Sequence, residues 1–225
     1  MNIGLNIGHF GTKGAIGYLD EVVLNNEVYN ALKPKLEAAG HTVVSCNDAT
    51  PKDYVSATKV ANQYNLDLLI SIHFNSSDKP SATGAEVLYL KGSSKGKEYA
   101  EKLSKTISSE LGVKNRGAKT TNVHIVNNSK APCVLIEPLF VSNKSDCEKY
   151  SAEKISDAVA ECFGYRKWDK KIETGNDIIW ELMNGKHKIE ITDVPRAVKT
   201  VDKAKYNADF SSLYWILYKL INGNN

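Results

Sequence analysis

The sequence predicts an α/β fold: a mostly parallel sheet flanked by helices, followed by a small C-terminal helical domain. Three observations carry this. Over the first two-thirds of the chain, apolar runs of strand length alternate with helix-length stretches of 3.6-residue periodicity, the pattern of a parallel sheet with helical crossovers. Residues 67–73 are almost continuously apolar, as a strand covered on both faces must be. Beyond residue 176 the strand signals stop and aromatic-bearing amphipathic segments replace them.

The elements follow in order. Residues 3–7 form a first strand, and residues 25–39 a helix with Val28, Leu32 and Leu36 on one face and Gly40 as its stop. Residues 41–46 form a second strand. Thr50 and Pro51 suit the N-cap and first position of a second helix, which carries Val55, Ala57, Val60 and Ala61 inward. The run at 67–73 is the third strand and, after a turn at 80–84, residues 86–90 the fourth. Residues 95–111 form a long helix, with Tyr99, Leu103, Ile107 and Leu111 spaced by four and Gly112 past its end. Residues 122–126 and 133–136 read as two more strands, and residues 151–163 as a helix burying Ile155, Ala158, Val159 and Cys162. These elements make a first domain, residues 1–166. A polar linker at 167–176 leads to a second domain, residues 177–225, with short helices at 177–183, 193–201 and 212–221 that include Trp180 and Trp215. So small a unit needs the first domain, or a copy of itself, to bury enough apolar surface. A homo-oligomer through this domain is therefore an expectation.

Composition limits the function. A chain of 225 residues supports one good core and a small appendage. Hydrophobic residues at 42% and charged residues at 24% are ordinary for a globular protein. The net charge of +3 is concentrated in neither domain, so no nucleic-acid-binding arm is implied. Mild positive charge suits an anionic polymer such as a cell wall. No apolar stretch approaches the ~20 residues that span a bilayer, and no membrane association is expected. Met1 leads directly into a strand, without the basic and apolar regions of a signal peptide. The expectation is synthesis in the cytoplasm and action at the wall after release. The four cysteines (Cys46, Cys133, Cys147 and Cys162) lack C-x-x-C spacing, and a reduced chain with Cys133 in the core is expected.

The chemistry gathers at strand ends, where α/β sheets place their sites. His9 follows the apolar run 3–7, His73 ends the run 68–72, and Glu137 ends the run 134–136. Two histidines and a carboxylate are a common ligand set for catalytic Zn²⁺, with the fourth position left to water. Glu21 is the carboxylate that fits; Glu27 is the alternative if the first helix begins later. Glu137 suits the base that such a water needs. His124 falls in mid-strand, and His41 and His187 at the surface. Asn75 and Asn143 are candidates for tethering loops or binding substrate. Arg116 is a candidate for contacting a substrate carboxylate or for a surface ion pair.

Six segments carry a family resemblance. They are Asn6-Ile7-Gly8-His9, Gly17 to Glu21 with Leu24-Asn25, Ser71-Ile72-His73-Phe74-Asn75, Gly84-Ala85-Glu86-Val87, Asn115-Arg116-Gly117, and the run from Pro132 to Asn143. Together, and in this order, they resemble the catalytic domain of the zinc-dependent N-acetylmuramoyl-L-alanine amidases, a family that includes many phage endolysins and bacterial autolysins. Phe10 departs from the family's usual glycine pair after the first histidine, and Pro138 and Leu139 replace small residues after the glutamate. The resemblance implies Zn²⁺ held by His9, Glu21 and His73, with Glu137 as the catalytic acid–base. It also implies cleavage of the amide joining the lactyl group of N-acetylmuramic acid to L-alanine in peptidoglycan. A phage endolysin with a C-terminal wall-binding domain, engaging peptidoglycan and a secondary wall polymer, is the leading expectation. The alternatives are a host autolysin or mother-cell-lysis amidase, another zinc peptidase, and a catalytically inactive wall-binding protein.

Overall fold

The computed structural model describes residues 1–47, 55–79 and 81–165. The helix start at Thr50 and Pro51, His187, the linker and the C-terminal helices lie outside the described residues. Met1–Tyr165 forms one compact unit. Its elements are β1 (Asn2–Ile7), α1 (Glu21–Ala38), β2 (Thr42–Ser45), α2 (Ser56–Ala61), β3 (Leu68–Ile72), β4 (Ala85–Leu90), α3 (Ser94–Leu111), β5 (Asn115–Thr121), α4 (His124–Asn128), β6 (Cys133–Glu137), α5 (Lys144–Cys147) and α6 (Ala152–Glu161). The strands lie in the order β2-β1-β3-β6-β4-β5. Pairing is parallel between β1 and β2, β1 and β3, β3 and β6, and β4 and β5, and antiparallel between β4 and β6.

The period of two along each strand divides the core between the faces of the sheet. Ile3, Leu5, Ile7, Leu68, Ile70, Ile72, Val134 and Ile136 pack with residues of α1, α3 and α6, including Leu32, Leu103, Ile107 and Val159. On the other face Leu69, Cys133 and Leu135 pack with Ala61 of α2 and Ile125 and Val126 of α4. Both faces are covered, which is why β3 is buried at every position. All four cysteines are free, and Cys133 is buried. Among the described residues no helix is long and apolar enough to cross a membrane.

Three expectations change. The first helix begins at Glu21, because Asp20 caps it: Asp20 Oδ1 accepts from Val22 N at 2.8 Å. The fifth strand covers 115–121, not 122–126, and residues 124–128 form a helical turn. The apolar residues Val123, Ile125 and Val126 fit either a strand or one helical turn, and burial of Ile125 and Val126 under the sheet selects the turn. In α2 the buried positions are Ser56, Thr58 and Ala61, whereas Val55, Ala57 and Val60 are half-buried.

Candidate active site

The three central strands, β1, β3 and β6, are adjacent and parallel, so their carboxyl ends deliver neighbouring side chains. Gly8 N donates to Ile72 O at 2.9 Å and His73 N to Ile136 O at 3.0 Å. These two bonds bring His9, His73 and Glu137 to one edge of the sheet. Glu21, 3% exposed, enters from the first turn of α1. Its Oε1 lies 3.0 Å from His73 Nδ1 and accepts from Phe74 N at 3.2 Å. Its Oε2 accepts from Ala15 N at 2.7 Å and lies 3.5 Å from His9 Nε2. The imidazole centroids are 5.0 Å apart. One donor atom from each of His9, Glu21 and His73 lies within 4.8 Å of the other two. Glu27, the alternative carboxylate, instead accepts from the Tyr150 hydroxyl at 2.6 Å.

The electrostatics suit a cation. Burial, with His73 beside it, lowers the His9 pKa despite the Glu21 carboxylate, so the ring is neutral near pH 7 and offers a lone pair. Burial alone would raise the Glu21 pKa. The His73 ring and the Ala15 and Phe74 N–H groups outweigh it and hold the carboxyl below its usual range. These residues therefore fit a divalent metal in their donor chemistry and in their convergence.

Supporting residues fix this geometry. A Cβ on Gly8 would lie 2.5 Å from His73 Nε2 and Cε1, and one on Gly14 2.9 Å from Glu21 Oε2. Asn25, fully buried, donates from Nδ2 to Gly8 O at 2.9 Å. His9 itself has φ 56°, a left-handed conformation that costs of order 1–3 kcal/mol in a non-glycine residue. The order of residues displays Gly8 and Asn25, but their reasons are contacts that only the fold creates.

Glu137 sits beside this group with Oε2 buried and without a hydrogen-bond partner among the described residues. Burial, and then the carboxylates of Glu21 and Glu86, push its pKa well above the usual range. It faces a cleft of about 410 Å³ whose walls include Ile7, Phe10, Leu88, Ile125 and Leu135, and which His9 and His73 also line. His124 lines the same cleft. It is the first residue of α4, not a mid-strand residue, and its Nδ1 lies 3.2 Å from Asn128 Nδ2.

The remaining candidates separate. Asn75 and Arg116 line a second depression together with Ser76, Ser77, Glu86 and Phe140. Asn143 lends Oδ1 to Asp146 N as the N-cap of α5 and donates from Nδ2 to Ala82 O at 3.0 Å. His41 Nε2 lies 2.6 Å from Phe163 O. Glu86, read only as part of a strand, is a buried hub for Asn75, Arg116 and Lys119. The signal was a charged residue in an apolar strand.

Residues 3–164 match the model of the Amidase_3 family, described as N-acetylmuramoyl-L-alanine amidase. The chain belongs to the N-acetylmuramoyl-L-alanine amidase family. The chain is 36% identical over 171 residues to an uncharacterized 38.4 kDa protein of Clostridium perfringens, covering 71% of this chain and 48% of that protein. It is 32% identical over 152 residues to the N-acetylmuramoyl-L-alanine amidase LytC of Bacillus subtilis, covering 66% of this chain and 31% of LytC. The chain thus spans about half or less of the length of these two relatives. Among solved structures, the catalytic domain of the CD27L endolysin, described as targeting Clostridia Difficile, superposes with a TM-score of 0.63 at 32% identity. That match covers 72% of this chain and 95% of the CD27L domain.

Proposed function

We propose that this amidase hydrolyses the amide between the lactyl group of N-acetylmuramic acid and L-alanine in peptidoglycan, with zinc as its metal. The observation that carries the reading is the meeting of His9, Glu21 and His73 beside Glu137, at the ends of three adjacent strands and the start of α1. Two imidazoles and one carboxylate suit zinc. Zinc supplies Lewis acidity, which makes water a usable nucleophile near neutral pH and polarises the amide carbonyl. His9, Glu21 and His73 would hold it, their orientations fixed by Gly8, Gly14 and Asn25. Glu137, with a carboxyl oxygen that no group among the described residues engages, takes the proton from the attacking water and gives it to the leaving amine. The apolar cleft walls exclude bulk water and strengthen these interactions.

The test is digestion of purified peptidoglycan by the zinc-loaded chain, with products read by mass spectrometry. New amino-terminal L-alanine is expected. A different new terminus would make the chain another kind of zinc peptidase, and no product at all would leave a wall-binding protein. For the biological setting we propose a phage endolysin, supported by the likeness to the CD27L domain, with residues 177–225 binding a wall polymer. A neighbouring gene for a membrane pore is expected; a sporulation or wall-turnover gene cluster would instead indicate a host autolysin.

A further inference from the structure

The one antiparallel pairing among the described strands has a chemical result. Because β4 runs against β6, the first residues of β4 and of its parallel neighbour β5 lie at the edge where β1, β3 and β6 end. Glu86 is directly opposite Glu137, and cross-strand partners share a face. Between β4 and β5 the register slips: Ala85 is opposite Asn115 and Glu86 is opposite Gly117. Arg116 is the extra residue. Such bulges are rare between parallel strands and re-aim side chains beside functional sites. Here the Arg116 guanidinium turns onto Glu86, with Nε on Oε2, Nη1 3.4 Å from Thr83 O, and Cζ 4.9 Å from the Phe140 ring centroid. Lys119 Nζ bonds the same Glu86 oxygen, while Asn75 Nδ2 takes Oε1 at 2.8 Å. Two cations therefore share one carboxylate, and Lys79 adds a third at the rim. The depression that Arg116 and Lys79 border is polar and cationic, unlike the apolar cleft that Glu137 lines.

We propose that this depression is the subsite for the peptide arm of the substrate, and that Arg116, with Lys79 at the rim, reads a carboxylate within the first three residues of that arm. The proposal rests on the amidase reading of the catalytic cleft. Two strand spacings, about 10 Å, separate β6 from β5, the reach of about three extended residues. A peptide leaving the scissile amide beside Glu137 and crossing β4 arrives at Arg116. Glu86 holds the guanidinium from one side and Phe140 supports its face, so the fork is preorganised and little freedom is lost on binding.

The test uses the full-length zinc-loaded chain and two synthetic muramyl peptides. Both are tripeptides, and they differ only in whether the carboxylates of the second and third residues are free or are carboxamides. The wild type is expected to favour the carboxylate in kcat/KM by about tenfold, the scale of one charge-assisted hydrogen bond in a partly open site. Arg116→Gln should abolish the preference, slowing the carboxylate substrate while leaving the carboxamide nearly unchanged, with zinc stoichiometry retained. If Arg116→Gln fails to fold, Arg116→Lys keeps the charge without the fork and should reduce the preference by a smaller factor. Equal wild-type rates on both peptides would overturn the subsite, as would an Arg116 variant that slows both alike. Hydrolysis of neither peptide by the wild type would overturn the amidase reading, and the subsite with it.

Discussion

Gly8 separates the histidine that follows it from any ordinary loop histidine. Its backbone lies against the His73 ring so closely that a single methyl group would come within 2.5 Å. Gly8→Ala is expected to displace His73 and weaken zinc binding by about 10–100-fold, the range seen when groups that orient a metal ligand are lost. A competition titration with a zinc chelator measures this, and wild-type affinity would show that the approach is not required. Glu137→Gln separates ligand from base: zinc content should stay at the wild-type level while turnover falls by about 10²-fold or more. Loss of zinc would make Glu137 a ligand, and unchanged turnover would remove it from the chemistry. Glu86 acts on stability. Burial alone would raise its pKa, but Lys119 and Arg116 outweigh that and hold the carboxyl below its ordinary value. A group with a depressed folded pKa stabilises the protein above its unfolded value, near ~4.3, and loses that stabilisation as pH falls through the folded value. Urea midpoints measured from pH 6 downward should therefore fall less steeply in Glu86→Gln than in the wild type. Parallel curves would assign the acid dependence to other carboxylates.

The first turn of α1 has a structural task and a chemical one. Asp20 caps the helix and the next residue, Glu21, faces the histidines. Asp20→Ala should cost about 1 kcal/mol of stability, as N-cap losses do, and should also weaken zinc binding by loosening Glu21; urea unfolding and zinc titration read the two effects separately. The elements most legible in the sequence were those whose pattern is a burial requirement. The apolar runs of β1, β3 and β6 and the four-residue spacing in α3 leave few other ways to hide those side chains. Their ends fixed His9, His73 and Glu137 before any contact was known. Glu21 rather than Glu27 lies beside the histidines because the helix starts directly after Asp20. β5 was hidden because an edge strand reading Asn-Arg-Gly-Ala-Lys-Thr-Thr has almost no apolar alternation, and the neighbouring apolar turn of α4 took its place in the reading. The Arg116 bulge has no local signature apart from Gly117, whose φ of 80° accommodates it.

At the scale of the whole molecule, the sheet and its flanking helices carry all of the proposed chemistry within residues 9–137. Truncation near residue 170 is therefore expected to leave zinc binding and hydrolysis of soluble muramyl peptides intact. It should weaken lysis of intact cells, because a wall-binding module acts by raising local enzyme concentration. Loss of soluble-fragment hydrolysis on truncation would place the C-terminal residues inside the catalytic fold. The parallel topology also orders events during translation. The three proposed metal ligands are all made by residue 73, and β1, β2 and β3 can pair as soon as they emerge. The strand that completes the centre of the sheet, joining Leu69 to Cys133, comes only after β4, α3 and β5 have been made. Loop-closure entropy makes so distant a pairing a late step. The proposed base, Glu137, thus joins the sheet long after the proposed ligands His9, Glu21 and His73 have been made.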